Sequence, residues 1–248
     1  MTVLVIGMSN ENSLGFKIAS ACDAKGISTI LTSRRRKFID KLSCKGYDVR
    51  YLDYPSDCSS LAFMPSLSGV VFCLAKTDLT ELRSGLIETS SENFHNTLVT
   101  SCYSLIDVIR QLKPFLENDG SIIALTFFGS SSVVPGYGLM GIAKAALEQT
   151  VRTLACEMGA DGVRFNCISS GPLPTISARS LHGFSQISRA VADRSCLRRG
   201  VDSDEIAAAA LWLLSRESSG VTGEVLNVNC GIRHRLRDGL AIEEVEVV

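Results

Sequence analysis

The chain has 248 residues, 46% of them apolar and 21% charged, with a formal net charge of −1 at pH 7. A chain of that length suits one large α/β domain or two small ones, and it buries about three-quarters of its unfolded surface without disulfide staples. The charge balance excludes overall attraction to nucleic acid or anionic membrane, and no apolar run reaches the roughly 18 residues of a membrane span.

Thr2–Ile6 (TVLVI) predicts a first strand directly after Met1. No basic and apolar leader precedes it, so no secretory signal is expected. Leu14–Ala24 carries apolar residues at helical spacing. Then come a strand at Ser28–Thr32, a polar helix around Phe38–Lys45, a strand at Asp48–Leu52, a short helix, and a strand at Gly69–Leu74 (GVVFCL). Ser90–Phe115 reads as one long helix stopped near Pro114. Ser121–Leu125 is a buried strand, Gly138–Gly159 an Ala-rich helix, Gly162–Ser169 a strand, Ser203–Leu214 a helix and Glu224–Val228 a last strand.

Uniformly apolar strands alternating with helices predict a parallel sheet covered on both faces. The expected fold class is α/β: a single-domain, doubly wound (Rossmann) sheet of about seven strands over residues 1–231. The loose, polar and basic stretch at about 178–199 predicts a lid. Residues 232–248 turn from basic to acidic and predict a tail or an arm reaching another subunit.

The nine cysteines are scattered, without a C-x-x-C pair, and most lie in apolar runs. This predicts buried free thiols in a reducing cytoplasm. His95, His182 and His234 stand too far apart to suggest metal ligation, so no metal is expected.

Between strand one and its helix the chain reads Gly7-Met-Ser-Asn-Glu-Asn-Ser13-Leu14-Gly15, which is not G-x-G-x-x-G. Gly7 still permits a tight turn, Ser13 can cap the helix, and Gly15 permits close packing on the sheet. Backbone N–H groups there would face a pyrophosphate, although an ordinary capped turn would read the same. Arg34-Arg35-Arg36-Lys37 follows strand two, where a dinucleotide fold reads the adenosine ribose. Arginine there favours a 2′-phosphate, the plainer reading being a solvated charge run. Asp53 closes strand three, where a carboxylate can accept from an adenine amino group or simply cap a turn.

Tyr137 stands at the start of a predicted helix and Lys144 seven residues later, about two turns on, so both share a face. A lysine so placed can bond ribose hydroxyls and favour phenolate character, and the tyrosine can donate to a substrate oxygen gaining charge. Lys144 is also the lone charge in Gly136–Leu147.

With its surroundings, P-x-Y-x-x-M-G-x-A-K-A-x-L-E over Pro135–Glu148, this pair resembles the NAD(P)H-dependent enoyl-acyl-carrier-protein reductases, a branch of the short-chain dehydrogenase/reductases. Other members of the superfamily space the pair as Tyr-x3-Lys, and Met140 stands at that tyrosine position here. Val163–Thr175 (VRFNCISSGPLPT), Leu197-Arg198-Arg199 with Asp204-Glu205-Ile206, Thr222–Gly231 (TGEVLNVNCG) and the Gly7-x5-Ser13-Leu14 turn are similar to further motifs of that branch.

The resemblance implies conjugate reduction, with hydride passing to the β-carbon of an α,β-unsaturated thioester while Tyr137 stabilises the enolate. It implies Gly7, Ser13 and Leu14 at the pyrophosphate, and Arg34 with Arg35 selecting NADPH over NADH. Asp53 and Tyr54 would flank the adenine, and Cys73, Leu74 and Ala75 would pass beneath the ribose. Lys144 would hold the nicotinamide ribose, Leu173 the carboxamide and Thr175 the phosphates. Thr77, Phe127, Phe128, Tyr137 and Met140 would line the substrate pocket. A cytoplasmic homotetramer is implied, acting on a small-molecule or acyl-thioester substrate that a carrier protein can present.

The chain departs from the pattern at several places. Phe127 stands ten residues before Tyr137, where many members carry a second tyrosine. The segment after strand four reads Cys73-Leu74-Ala75-Lys76-Thr77 instead of a small Gly-containing motif. Pro174 replaces a more usual polar or basic residue, and the lid carries Arg179, His182, Arg189 and Arg194. Two other readings therefore stand beside the first: a reductase of another small ketone, enone or imine, and a nucleotide-binding homologue without turnover.

Overall fold

The computed structural model describes residues 1–173 and 184–232, apart from the side chains of Arg83, Ala190 and residues 184–187. Seven parallel strands lie in the order β3-β2-β1-β4-β5-β6-β7. They are β1 (Thr2–Ile6), β2 (Ser28–Ser33), β3 (Asp48–Tyr51), β4 (Leu67–Phe72), β5 (Leu116–Phe127), β6 (Arg164–Ser170) and β7 (Val225–Val228). The helices are α1 (Leu14–Ala24), α2 (Arg36–Ser43), α3 (Leu79–Ser84), α4 (Ser91–Leu98), α5 (Ser104–Leu112), α6 (Gly138–Met158), α7 (Phe184–Arg194) and α8 (Ser203–Leu214).

Side chains alternate across the sheet, as period two requires. From β1, Val3 and Val5 join Ile18 and Cys22 of α1, Leu42 of α2 and Ile206, Ala210 and Leu213 of α8. Leu4 and Ile6 point the other way, into a core with Leu105 and Val108 of α5 and Leu147 and Val151 of α6. Each of the Val, Leu and Ile side chains among them contributes about 1.5–3 kcal/mol by leaving water. All the strands run the same way, so their carboxyl ends meet along one edge. Strand order reverses between β1 and β4, and the crevice of a doubly wound sheet opens there.

Helix α8 starts at a reciprocal cap: Asp202 Oδ1 accepts from Asp204 N at 2.9 Å, and Glu205 Oε2 accepts from Asp202 N at 2.8 Å. Arg199 holds the same Glu205 at 2.6 Å. That pairing is the main reason the Glu205 carboxyl falls to about 2.

Three expectations change in detail. The helix over Ser90–Phe115 is not uniform: a π-helical turn, Val99–Tyr103, separates α4 from α5. Ser104 Oγ donates to Thr100 O at 2.6 Å, and Ser101 Oγ exchanges hydrogen bonds with the backbone of Lys76, accepting at 3.0 Å and donating at 3.2 Å. Those bonds supply partners where the α-helical ladder is interrupted. Strand β5 begins five residues early, with an irregular register before Gly69↔Ser121 and Asp119 at φ 65°. The cysteines are all free, but only Cys22 and Cys167 are fully buried, and Cys44, Cys156 and Cys196 are exposed. An apolar run did not guarantee burial, because these three sit on the outer sides of their helices or in a surface turn. No helix among the described residues is long and apolar enough to cross a membrane. Pro174, Thr175, Arg179, His182, the first part of the lid and residues 233–248 lie outside the described residues.

Candidate active site and cofactor cleft

A cleft of about 510 Å³ opens at the carboxyl ends of β1 to β6. Its floor begins at Gly7, whose φ of +90° is left-handed backbone. A Cβ there would lie 2.7 Å from Leu74 Cδ2 and 3.1 Å from Leu74 N, so only glycine lets the segment after β4 pass so close. Gly7 N donates to Thr32 Oγ1 at 3.2 Å and Met8 N to Thr32 O at 3.0 Å, tying the turn to β2. Ser13 caps α1: its Oγ accepts from Phe16 N at 3.4 Å and donates to Asn10 O at 2.7 Å. Ser13, Leu14 and Gly15 at the start of α1 line the cleft, and the N–H groups of a helix's first turn favour an anion.

Arg34 and Arg35 line the cleft beyond β2 and are exposed, and their guanidinium groups have no hydrogen bond or ion pair among the described residues. Arg36 is turned away, its guanidinium 4.3 Å above the Tyr51 ring. Asp53 pairs through its backbone with Asp57, leaving its carboxylate beside the cleft. Tyr54 lies between the cleft and the α5 side of the core; burial, reinforced by the Asp107 carboxylate, pushes its phenol up to about 12.

Cys73, Leu74, Ala75 and Thr77 form the wall after β4. Cys73 N bonds Ile6 O at 2.9 Å, and burial raises its thiol to about 12, so it stands as a neutral SH. Thr77 is held by Thr97 Oγ1, which donates at 2.9 Å, and Asn93 Oδ1 accepts from Asp78 N at 3.1 Å.

Tyr137 precedes α6 in near-helical backbone (φ −118°, ψ −3°), and its carbonyl accepts from Gly141 N at 2.9 Å. That geometry places its side chain on the face of Lys144. Its ring meets Phe127 edge-on, centroids 4.8 Å apart, and rests on Leu82, Leu139 and Met140. A Cβ at Gly129 would lie 2.7 Å from Tyr137 Cδ1, so the loop after β5 closes on the ring only because residue 129 is glycine. Burial raises the phenol well above its ordinary value, which keeps it an O–H donor at neutral pH. No described residue bonds that hydroxyl. Lys144 is 6% exposed, borders the cleft, and donates from Nζ to Leu125 O at 2.7 Å. Burial pulls its pKa below the lysine value, opposed by Cys167, Cys73 and Glu148.

Of the residues singled out in the sequence, Gly7, Ser13, Leu14, Arg34, Arg35, Asp53, Tyr54, Cys73, Leu74, Ala75, Thr77, Phe127, Tyr137, Met140, Lys144 and Leu173 all line this one cleft. Phe128 does not: it is 8% exposed and stacks, tilted, behind Phe127 at 4.3 Å. Phe127 closes β5, whereas Phe128 opens the 3₁₀ turn Phe128–Ser130, which carries its ring into the interior. Leu79 and Leu82 of α3 line the cleft and had gone unnoticed. Their signal was Asp78-x-x-Glu81, a helix-start pattern in which Asp78 Oδ1 accepts from Thr80 N at 2.7 Å.

Comparison with known proteins resolves the family. Residues 7–233 match the model of the family described as "Enoyl-(Acyl carrier protein) reductase". The chain belongs to the enoyl-acyl-carrier-protein reductase family. It is thus an oxidoreductase of the short-chain dehydrogenase/reductase type that uses a nicotinamide cofactor. It is 34% identical over 246 residues to enoyl-[acyl-carrier-protein] reductase [NADH] FabI of Rickettsia prowazekii (strain Madrid E), covering 92% of each chain. It is 34% identical over 244 residues to the [NADPH] FabI of Staphylococcus aureus (strain MRSA252), covering 93% of this chain and 95% of that one. Among solved structures, the Anaplasma phagocytophilum reductase in complex with NAD superposes with a TM-score of 0.86 at 35% identity, covering 94% of this chain and 93% of that one. Relatives of equal similarity thus divide between the two cofactors.

Proposed function

We propose that this protein reduces the C=C bond of an α,β-unsaturated thioester, preferring NADPH. The observation that carries the reading is the convergence on one cleft of a protonated Tyr137 hydroxyl, without a partner among the described residues, and the buried Lys144 ammonium. The cleft suits an extended dinucleotide. Gly7 clears a backbone path, the α1 terminus offers N–H groups, and Arg34 with Arg35 offers guanidinium groups, unpaired among the described residues, where a 2′-phosphate would lie. Thr175, outside the described residues, would add a contact to the phosphates.

When bound, the reduced nicotinamide would supply a hydride to the substrate β-carbon. Lys144, fixed by Leu125 O, would hold the nicotinamide ribose. Tyr137 would donate to the thioester oxygen as it gains enolate charge, and the α-carbon is then protonated. Phe127, Met140, Leu79 and Leu82 give the cleft apolar walls that exclude water around that oxygen. The FabI relatives are named for acyl-carrier-protein substrates, so a carrier-presented acyl chain is the substrate form we favour. A cytoplasmic tetramer of chains folded as one unit over residues 1–231 completes the proposal.

Phe127 favours one second reading. It puts a ring where many members have a hydroxyl, so a small ketone, enone or imine that needs a single donor would also fit. NADPH oxidation with crotonyl thioester tests the first reading against it: turnover with the enoyl compound and none with the matched ketone is expected, and the reverse would overturn the proposal.

A further inference from the structure

Among the described residues, the buried charged side chains are Lys144, Glu148 and Arg164. Arg164 lies at the far end of β6 and is satisfied by Leu213, Ser215, Ser218 and Val221. Glu148 has no such setting. It is 7% exposed, one helical turn after Lys144 on the same face of α6. Its Oε1 accepts from Thr126 Oγ1 at 2.7 Å, while Lys144 Nζ donates to the carbonyl of Leu125, the preceding residue of β5, at 2.7 Å. Two opposite buried charges on one helix are thus clamped to two consecutive strand residues, and both of those strand residues line the cleft. No direct ion pair joins Lys144 to Glu148. Ser169 stands in register beside Thr126 with its hydroxyl buried and unpartnered, so the interior around the carboxylate is not packed as a plain apolar core.

We propose that Glu148 is a positioning residue for Lys144: anchored by Thr126, it is the buried counter-charge that keeps the Lys144 ammonium charged and aimed at the cleft. An unpaired buried carboxylate is costly, so its place one turn behind a buried ammonium calls for a role.

The groups that face Lys144 are few. Cys73 comes from the segment after β4, Cys102 from the π-turn, Cys167 from β6 and Glu148 from α6 itself, while β5 contributes only the Leu125 carbonyl. Burial holds Cys73 and Cys167 at about 12, as neutral thiols. Arg152 lies beyond Cys167 and bonds Gln149. Glu148 is therefore the one carboxylate set against the desolvation of Lys144. The inference rests on the reading of Lys144 as the ribose-holding group, but its charge pairing can be measured without cofactor or substrate.

The test is the titration of the Lys144 side chain, followed by ¹³Cε NMR in cofactor-free protein and assigned by loss of the signal in Lys144→Arg. In Glu148→Gln the midpoint is expected to fall by about one pH unit, the size typical of removing one nearby opposite charge. Glu148→Asp should restore most of the shift. Thr126→Val, which removes the anchor and keeps the charge, should broaden the titration or move it by less. The alkaline limb of kcat/KM should move down by the same amount in Glu148→Gln. An unmoved Lys144 midpoint in folded Glu148→Gln, or in Thr126→Val combined with Glu148→Gln should the single variant fail to fold, would overturn the proposal. A shifted midpoint in protein without reductase turnover would instead refute the proposed function and leave the charge pairing intact.

Discussion

The two halves of the cleft are built differently. The half we assign to the cofactor draws one short segment from after each of β1 to β4 in chain order, with Lys144 and Leu173 added from later in the chain, and much of its geometry is main chain: the Gly7 turn, the α1 terminus, the Cys73–Ala75 wall. The half we assign to the substrate draws side chains from α3, the end of β5 and the start of α6, held together by packing between distant elements: Phe127 against Tyr137, and Leu82 against Leu139 and Met140. Main-chain sites tolerate sequence change provided the turn conformation survives, whereas a packed side-chain wall changes character with each substitution. The same fold can therefore keep its cofactor while its substrate drifts.

The sharpest way to break that division is Tyr137→Phe. It should cost about 10²–10⁴-fold in kcat, with the dissociation constant for NADPH unchanged by fluorescence titration; a matching loss of cofactor binding would show that the halves are not separable. Gly7→Ala forces a side chain into left-handed backbone against Leu74, a strain of about 1–3 kcal/mol. NADPH affinity should weaken by about tenfold or more, with little effect on the relative preference among acyl substrates. Next, Arg34→Ala removes one guanidinium contact, worth about 1.5–3 kcal/mol for a charged hydrogen bond. The NADPH-to-NADH ratio of kcat/KM should fall about tenfold or more, and an unchanged ratio would move cofactor choice elsewhere. The smallest effect belongs to Phe127→Leu. Losing the edge-on ring contact should cost about 1 kcal/mol and lower the melting temperature by about 2–4 °C, raising KM for the acyl substrate but not for NADPH.

The strands were legible because each is an apolar run between breakers, as in TVLVI and GVVFCL. The Tyr137 and Lys144 pair was legible because helical spacing alone puts two such residues on one face. What escaped depends on contacts between segments far apart in the chain. Leu79 and Leu82 reach the cleft only because α3 folds back over it, and the π-turn at Val99–Tyr103 accompanies bonds from Ser101 to Lys76, 25 residues away. Phe127 and Phe128 are equivalent in the sequence, and only the change from strand to 3₁₀ turn between them decides which lines the site. In the sequence Glu148 is only the last residue of the Pro135–Glu148 motif, and its burial against Thr126, 22 residues away, is a tertiary contact.

In the proposed reaction, hydride goes to the β-carbon of the enoyl group rather than to a carbonyl carbon. The most direct measurement is single-turnover reduction of crotonyl thioester with NADPH deuterated at the transferable position, the product analysed by NMR. Butyryl thioester with one deuterium at the β-carbon is expected, formed by Tyr137→Phe about 10²–10⁴-fold more slowly than by the native protein. Cofactor binding without deuterium transfer, or deuterium found only on a reduced carbonyl carbon, would contradict it.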